Sequence, residues 1–233
     1  MNTATYQHRR GEIEHYFDRT AAQNWARLTS DAPVGRIRAT VRAGRDRMRS
    51  TLLSWLGEDL RGRRILDAGC GTGALAIEAA RRGATVVAVD LSPTLVALAF
   101  ERLPELPGEG SVSFRSGDML DPALGEFDHV VAMDSLIHYR AHDAVAALSR
   151  LAQRTRHSIV FTAAPRTPAT MLMLHAGKLF PRGDRSPAIE PVTPGDLRRL
   201  MLADHSLSGW HTARQAHIAG GFYKSQAMEW TKA

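Results

Sequence analysis

The stretch ILDAGCGTG, residues 65–73, decides the fold: a short apolar run ends in three glycines within five residues, Gly69, Gly71 and Gly73. Glycine permits a sharp turn and lets a ligand approach the backbone amides. The run that follows, ALAIEAARR, reads as a helix whose N-terminus adds donors and positive potential. Strand, glycine loop and helix in succession start a crossover unit. From Arg63 onward the pattern repeats. RRILDA, ATVVAVD, SVSFRSGD, FDHVVAMD and HSIVFTAA are β-rich, and between them lie helical runs, ALAIEAARR, PTLVALAFERL and residues 142–153. Strands alternating with helices predict a parallel sheet covered on both faces, with five strands before residue 165.

Outward from this core, residues 9–28 predict one helix, with Ile13, Tyr16, Phe17 and Trp25 near helical spacing, and Pro33 opens a second. Ile37, Val41, Met48, Leu52 and Leu56 form the apolar stripe of that second helix, while Arg38, Arg42, Arg45 and Arg49 fall elsewhere on it. Residues 1–58 are expected to cap the α/β domain of residues 59–233. Pro165 and Pro168 begin a substrate-covering insertion at about 165–194 with a helix over ATMLMLHAGKLF, and a further helix is expected at 194–203. The tail has two β-like halves around Gly220-Gly221, suited to an antiparallel pair closing the sheet.

The chain has 233 residues, 44% hydrophobic and 23% charged, with one cysteine, Cys70, so no internal disulfide is expected. No apolar run reaches the length of a membrane span, and the N-terminus lacks a signal-peptide core. A cytoplasmic enzyme is the expectation. The net charge is +6, and ten arginines against five acids sit within residues 1–50. Such a segment suits nucleic acid, anionic lipid or an acidic small molecule, or is simply a solvated helix face. No aromatic residues interleave with the arginines as a stacking platform requires, so nucleic acid is not expected.

The acids narrow the ligand. Asp90 ends the second strand, where a carboxylate takes both hydroxyls of an adenosine ribose. This suits a nicotinamide dinucleotide as well as S-adenosylmethionine, and Gly69-Cys70-Gly71-Thr72-Gly73-Ala74 satisfies the dinucleotide pattern. Asp67, however, stands two residues before the first glycine. Against a pyrophosphate at about 4 Å it would cost roughly 4 kcal/mol per charge pair at an effective dielectric near 20. S-adenosylmethionine instead presents an ammonium and a sulfonium. Asp118, in SGDML, ends the third strand and can accept from the adenine amino group, with Met119 and Leu91 as apolar walls.

These residues resemble class I S-adenosylmethionine-dependent methyltransferases over about residues 60–162: ILDAGCGTG is similar to their first motif, VVAVDLS to their second and SGDML to their third. The resemblance implies a Rossmann-like sheet of seven strands, mostly parallel, with the last antiparallel. The expected cofactor-binding set is Asp67, Gly69, Cys70, Gly71, Gly73, Asp90, Leu91, Ser92, Gly117, Asp118, Met119, Met133 and Asp134, with S-adenosylhomocysteine as product. No metal-ligand set is predicted. The fourth strand opens into MDSLIHYRAHD, where Asp134 and His138 are four apart and would share a face on a helix.

A narrower resemblance covers nearly the whole chain. EIEHYFDRTAAQNW, DSLIHY and FTAAPRTPATMLMLHAGKLFPRGDRSP are similar to magnesium-protoporphyrin IX O-methyltransferase of chlorophyll and bacteriochlorophyll biosynthesis. That family transfers methyl to one propionate of Mg-protoporphyrin IX, giving the monomethyl ester. The resemblance implies catalytic roles for a first-helix tyrosine, Tyr16, and for the histidine after the fourth strand, His138. It also implies a partner, the large porphyrin-carrying subunit of magnesium chelatase, and loose membrane association. On the residues alone Tyr16 reads as core packing. Arg36, Arg38 and Arg42 stay open as contacts of the second propionate, and His175 as a ligand of the central magnesium. Another small-molecule O- or N-methyltransferase, an NAD-dependent dehydrogenase and a non-enzymatic binding module are the competing readings.

Overall fold

The computed structural model describes residues 4–20, 25, 29, 35–106, 108–168, 170, 171 and 188–233. Helix α1 (Ala4–His15) runs into a π-helical turn (Tyr16–Thr20), and α2 (Arg36–Leu56) precedes the sheet. Then come β1 (Arg64–Ala68), α3 (Ala74–Arg81), β2 (Thr85–Asp90), α4 (Pro93–Glu101), β3 (Ser111–Ser116), β4 (Phe127–Ala132), α5 (Ala141–Ala152) and β5 (Thr155–Ala163). After the residues that are not described, α6 (Pro194–Ala203) leads to β6 (Trp210–Gly220) and β7 (Tyr223–Lys232).

The sheet has seven strands in the order β3-β2-β1-β4-β5-β7-β6. β1 pairs in parallel with both β2 and β4, while β7 runs antiparallel to β5 and to β6. The two tail halves are therefore the expected antiparallel pair, joined by the short turn Gly221-Phe222. The strand order reverses between β1 and β4, and the crevice at their carboxyl ends is where ligands of such sheets bind.

The β-rich runs are almost wholly apolar because both of their faces are covered. Ile65, Val86, Val131 and Val160 pack with Met48, Leu52 and Leu53 of α2 and with α3. Their neighbours Leu66, Val87, Val130 and Ile159 pack on the other face with α1, α5 and α6. Period-2 alternation sends adjacent residues to opposite faces, so a continuous Val/Ile/Leu run is the signature of a doubly covered strand. α2 is fastened at its C-terminal end by Arg214, whose guanidinium donates to the buried Glu229 through Nε at 2.6 Å and Nη2 at 2.7 Å, and to the Trp55 carbonyl at 2.6 Å.

The single helix expected over residues 9–28 is corrected. α1 begins earlier, at Ala4, and stops at His15, and the chain then widens into the π-helical turn. The cause is a tether: Asp18 Oδ1 accepts from the Ser92 hydroxyl and from the Thr94 amide, both at 3.1 Å, at the start of α4. That pull re-aims Tyr16 and Phe17, and such turns concentrate at functional sites. Pro33, where the second helix was expected to open, lies outside the described residues. So does most of ATMLMLHAGKLF with His175; Thr170 and Met171 at its start are helical.

α2 approaches the hairpin closely because position 44 is glycine. A Cβ there would stand 2.5 Å from the Tyr223 ring. Gly44→Val is expected to lower stability by about 1–3 kcal/mol through overpacking, read as a lower urea midpoint at unchanged slope. An unchanged midpoint would mean that α2 does not seat on Tyr223.

Candidate active site

The carboxyl ends of β1 and β4 open into a cavity of about 640 Å³, within the range of about 300–1,000 Å³ typical of small-molecule sites. Its floor is the glycine loop. Gly69 has φ +90°, and a Cβ there would lie 2.3 Å from the Ser135 side chain, so the first turn admits only glycine beside β4. Gly73 caps α3. Gly71 donates its amide to Asp90 Oδ2 at 2.8 Å, and the Ser92 amide donates to Asp90 Oδ1 at 3.0 Å, so one carboxylate ties the loops after β1 and β2 together.

Asp67 is 1% exposed, and its Oδ2 has no hydrogen-bond partner. Burial first, and the neighbouring Asp90 second, push its carboxyl up to about 7, against a hydrogen bond from the Ala76 backbone. Burial also raises Asp90, opposed by its backbone donors. The Cys70 thiol is raised well above its ordinary value by burial and by both acids, which keeps it protonated and poorly nucleophilic.

Leu91, Gly117, Asp118, Met119 and Met133 line the same cavity. Ser92 is fully buried beside it: its hydroxyl accepts from the Leu95 amide as the cap of α4 while donating to Asp18. Asp118 is more heavily engaged than its place in SGDML suggests. It accepts from the Tyr6 hydroxyl at 2.9 Å, from Arg10 at 3.2 Å and from the Leu120 amide at 2.9 Å. Tyr6 in turn stacks on Tyr139, centroids 4.8 Å apart. α1 thus reaches across to the end of β3.

After β4 the chain is not an α-helix. Asp134 takes a left-handed backbone with φ +54°, and Leu136–His138 form one short 3₁₀ turn. The expectation that Asp134 and His138 share a helix face is corrected: the strained residue at 134 breaks the helical run. Its carboxylate accepts from Arg45 of α2 at 2.5 Å, from the Tyr223 hydroxyl at 3.1 and 3.2 Å and from the Thr162 hydroxyl at 3.2 Å. Yet both residues face the cavity.

His138 is 5% exposed and Tyr16 half-buried, and Phe17 links them. Its ring meets Tyr16 edge-on at 5.2 Å, Trp25 at 5.6 Å and His138 at 5.8 Å. The opposite wall is cationic: Arg38, Arg42, Arg45 and Arg49, spaced to share one side of α2, line the cavity, and Arg36 does not. Sequence reasoning missed Tyr6, Phe17, Arg45 and Tyr223. A signal existed for Arg45, which continues the row of Arg38 and Arg42 at i+7 and i+3. No local signal marks Tyr223, which depends on the hairpin folding back to α2.

Residues 132–232 match the family model of the magnesium-protoporphyrin IX methyltransferase C-terminus, and residues 65–158 match a methyltransferase domain. A magnesium-protoporphyrin O-methyltransferase of Rhodobacter capsulatus is 52% identical over 95% of this chain and 96% of its own length. The chain belongs to the magnesium-protoporphyrin O-methyltransferase family. The crystal structure of a family member from Synechocystis PCC 6803 with bound SAH superposes with a TM-score of 0.83, at 27% identity, over 96% of this chain and 99% of that one. The fold is thereby the Rossmann-like one of S-adenosylmethionine-dependent methyltransferases. A ubiquinone biosynthesis O-methyltransferase of Xanthomonas oryzae is 35% identical over only 54% of this chain and 55% of its own length.

The raised Asp67 has a thermodynamic consequence. Its folded pKa, about 7, lies well above the ordinary carboxylate range, so its contribution to stability is full below about pH 4 and is lost as pH rises through 7. Asp67→Asn removes this component. Unfolding by urea without ligand is expected to find the variant gaining on the wild type between pH 5 and pH 8. A difference independent of pH would place the Asp67 titration elsewhere.

Proposed function

We propose that this chain transfers the methyl group of S-adenosylmethionine to one propionate carboxylate of Mg-protoporphyrin IX, giving the monomethyl ester and S-adenosylhomocysteine. One observation carries the reading. The cavity has an acidic floor, Asp67 and Asp90, and an arginine-lined wall from α2, with His138 and Tyr16 lining the same space. A cationic donor suits the first and a dianionic acceptor the second. The full-length relatives of that name support the same assignment.

On this reading Asp90 takes the ribose hydroxyls, Asp67 the methionine ammonium, and Asp118 the adenine amino group beside Met119 and Leu91. A propionate has a pKa near that of a glutamate side chain, about 4.3, and is ionised at neutral pH. One carboxylate oxygen attacks the methyl carbon, the carbon–sulfur bond breaks with its electron pair passing to sulfur, and no proton is released. The protein's task is therefore alignment and exclusion of water, which can supply roughly 7–11 kcal/mol. His138 orients the carboxylate by a hydrogen bond, or takes its proton if the acid form binds. Tyr16 and Phe17 close over the reacting atoms. The magnesium enters as part of the substrate.

The reading extends to hand-over of substrate from the large subunit of magnesium chelatase and to a cytoplasmic protein with at most peripheral membrane contact. The arginine-rich first fifty residues support both by offering acidic surfaces a cationic face. Among the described residues no helix is long and apolar enough to cross a membrane.

The test is incubation with methyl-labelled S-adenosylmethionine and either Mg-protoporphyrin IX or metal-free protoporphyrin. Label is expected in a porphyrin monoester, and much less without the metal. Donor binding without porphyrin labelling would refute the acceptor. His138→Ala is expected to lower kcat about 100-fold at unchanged affinity for the donor. Loss of donor binding instead would move His138 to the cofactor site.

A further inference from the structure

The methyl donor carries a carboxylate as well as its two cationic centres, and a floor of acids repels it. Asp67, Asp90, Asp118 and Asp134 all line the cavity, so a cation is the favourable partner for the donor's carboxylate there. Arg45 of the α2 row is linked to the glycine loop through one aromatic ring. Its guanidinium carbon lies 4.6 Å from the centre of the Trp25 ring. The Trp25 indole nitrogen lies 3.1 Å from where a Cβ on Gly71 would stand. Arg45 is thus one ring away from the loop that would hold the donor. Arg49, further along the row, pairs instead with Asp46 of its own helix at 2.9 Å.

Arg45 is also pre-oriented. Its side chain is 18% exposed, Nη1 donates to Asp134, and Asp134 is in turn held by Tyr223 and Thr162. A guanidinium has five N–H donors in a rigid fork, so a carboxylate that fixes one edge leaves the fork aimed. The left-handed backbone at Asp134 persists because its surroundings over-determine it, as strained residues at ligand sites do. We infer that Arg45, together with the Trp25 indole N–H, receives the α-carboxylate of S-adenosylmethionine, and that Asp134 serves the donor indirectly by orienting Arg45. This rests on the methyl-donor reading above and deepens it.

The discriminating probe is decarboxylated S-adenosylmethionine, which keeps the ammonium, the sulfonium and the adenosine. Calorimetric titration of the full chain is expected to give about 10- to 100-fold tighter binding of the intact donor. In Arg45→Met that ratio falls towards one, because affinity for the intact donor drops while that for the decarboxylated compound holds within about threefold. Arg45→Lys restores part of the ratio. Trp25→Phe, which keeps the ring under the guanidinium and removes only the N–H, lowers the ratio by a smaller factor and serves if Arg45→Met does not fold. A wild-type ratio retained in Arg45→Met and in Trp25→Phe overturns the inference. So does an intact ratio with a raised KM for Mg-protoporphyrin, which would put the guanidinium on the acceptor. A wild type that binds neither compound would instead sink the methyl-donor reading itself.

Discussion

Asp67 and Asp90 stand at the ends of neighbouring parallel strands, and the fold leaves them nowhere else to point. Parallel pairing brings the carboxyl ends of β1 and β2 to one edge of the sheet, and the glycine loop closes the space between them. Asp90 satisfies its oxygens with the amides of Gly71 and Ser92. Asp67 has no such settlement for Oδ2. A buried carboxylate without a partner either keeps a proton or waits for a cation, and its carboxyl, raised to about 7, lies between these states. A ligand bringing positive charge to that edge removes the conflict, and one bringing phosphate deepens it. The acids therefore select the ligand class before any side chain makes a specific contact.

The N-terminal residues tie down the segments along this edge. Tyr6 and Arg10 of α1 reach the acid after β3, Asp18 of the π-helical turn grips the start of α4, and Arg45 of α2 grips the residue after β4. Each tie ends on the segment that follows a strand, a loop or the first turn of the next helix. The roof is therefore registered against the loops that would touch the donor, and Phe17, between Tyr16 and His138, makes the roof and the β4 turn one packed unit.

The sheet was legible because its signals are local: continuous apolar runs, glycines at a strand end, and acids at successive strand ends. The antiparallel hairpin followed from the paired glycines of the tail. What escaped depends on contacts far apart in sequence. The π-helical turn exists because Asp18 is pulled by a helix cap 74 residues away, and no periodicity within residues 9–28 encodes that pull. Arg45 reads as a solvated arginine until the hairpin brings Tyr223 beneath Gly44. Asp134 scans as a helical neighbour of His138, but its network with Arg45, Tyr223 and Thr162 selects a backbone that local propensity disfavours.

This division between local and non-local features follows the chemistry. On the proposed function, the donor is recognised by elements inseparable from the sheet, the strand-end acids and the glycine loop. The ubiquinone biosynthesis O-methyltransferase resembles this chain over only about half its length. On the same reading the acceptor is approached from α2, and from the 3₁₀ turn after β4 that Phe17 packs against. Near-complete coverage by porphyrin-named relatives requires that these added pieces be shared as well. Arg45 stands where the two parts meet, on an acceptor-side helix yet oriented by a strand-end acid. On the inference above, Asp134 holds one edge of the Arg45 guanidinium and the donor's carboxylate takes another. The proposed function leaves the rest of the arginine row to a dianionic acceptor.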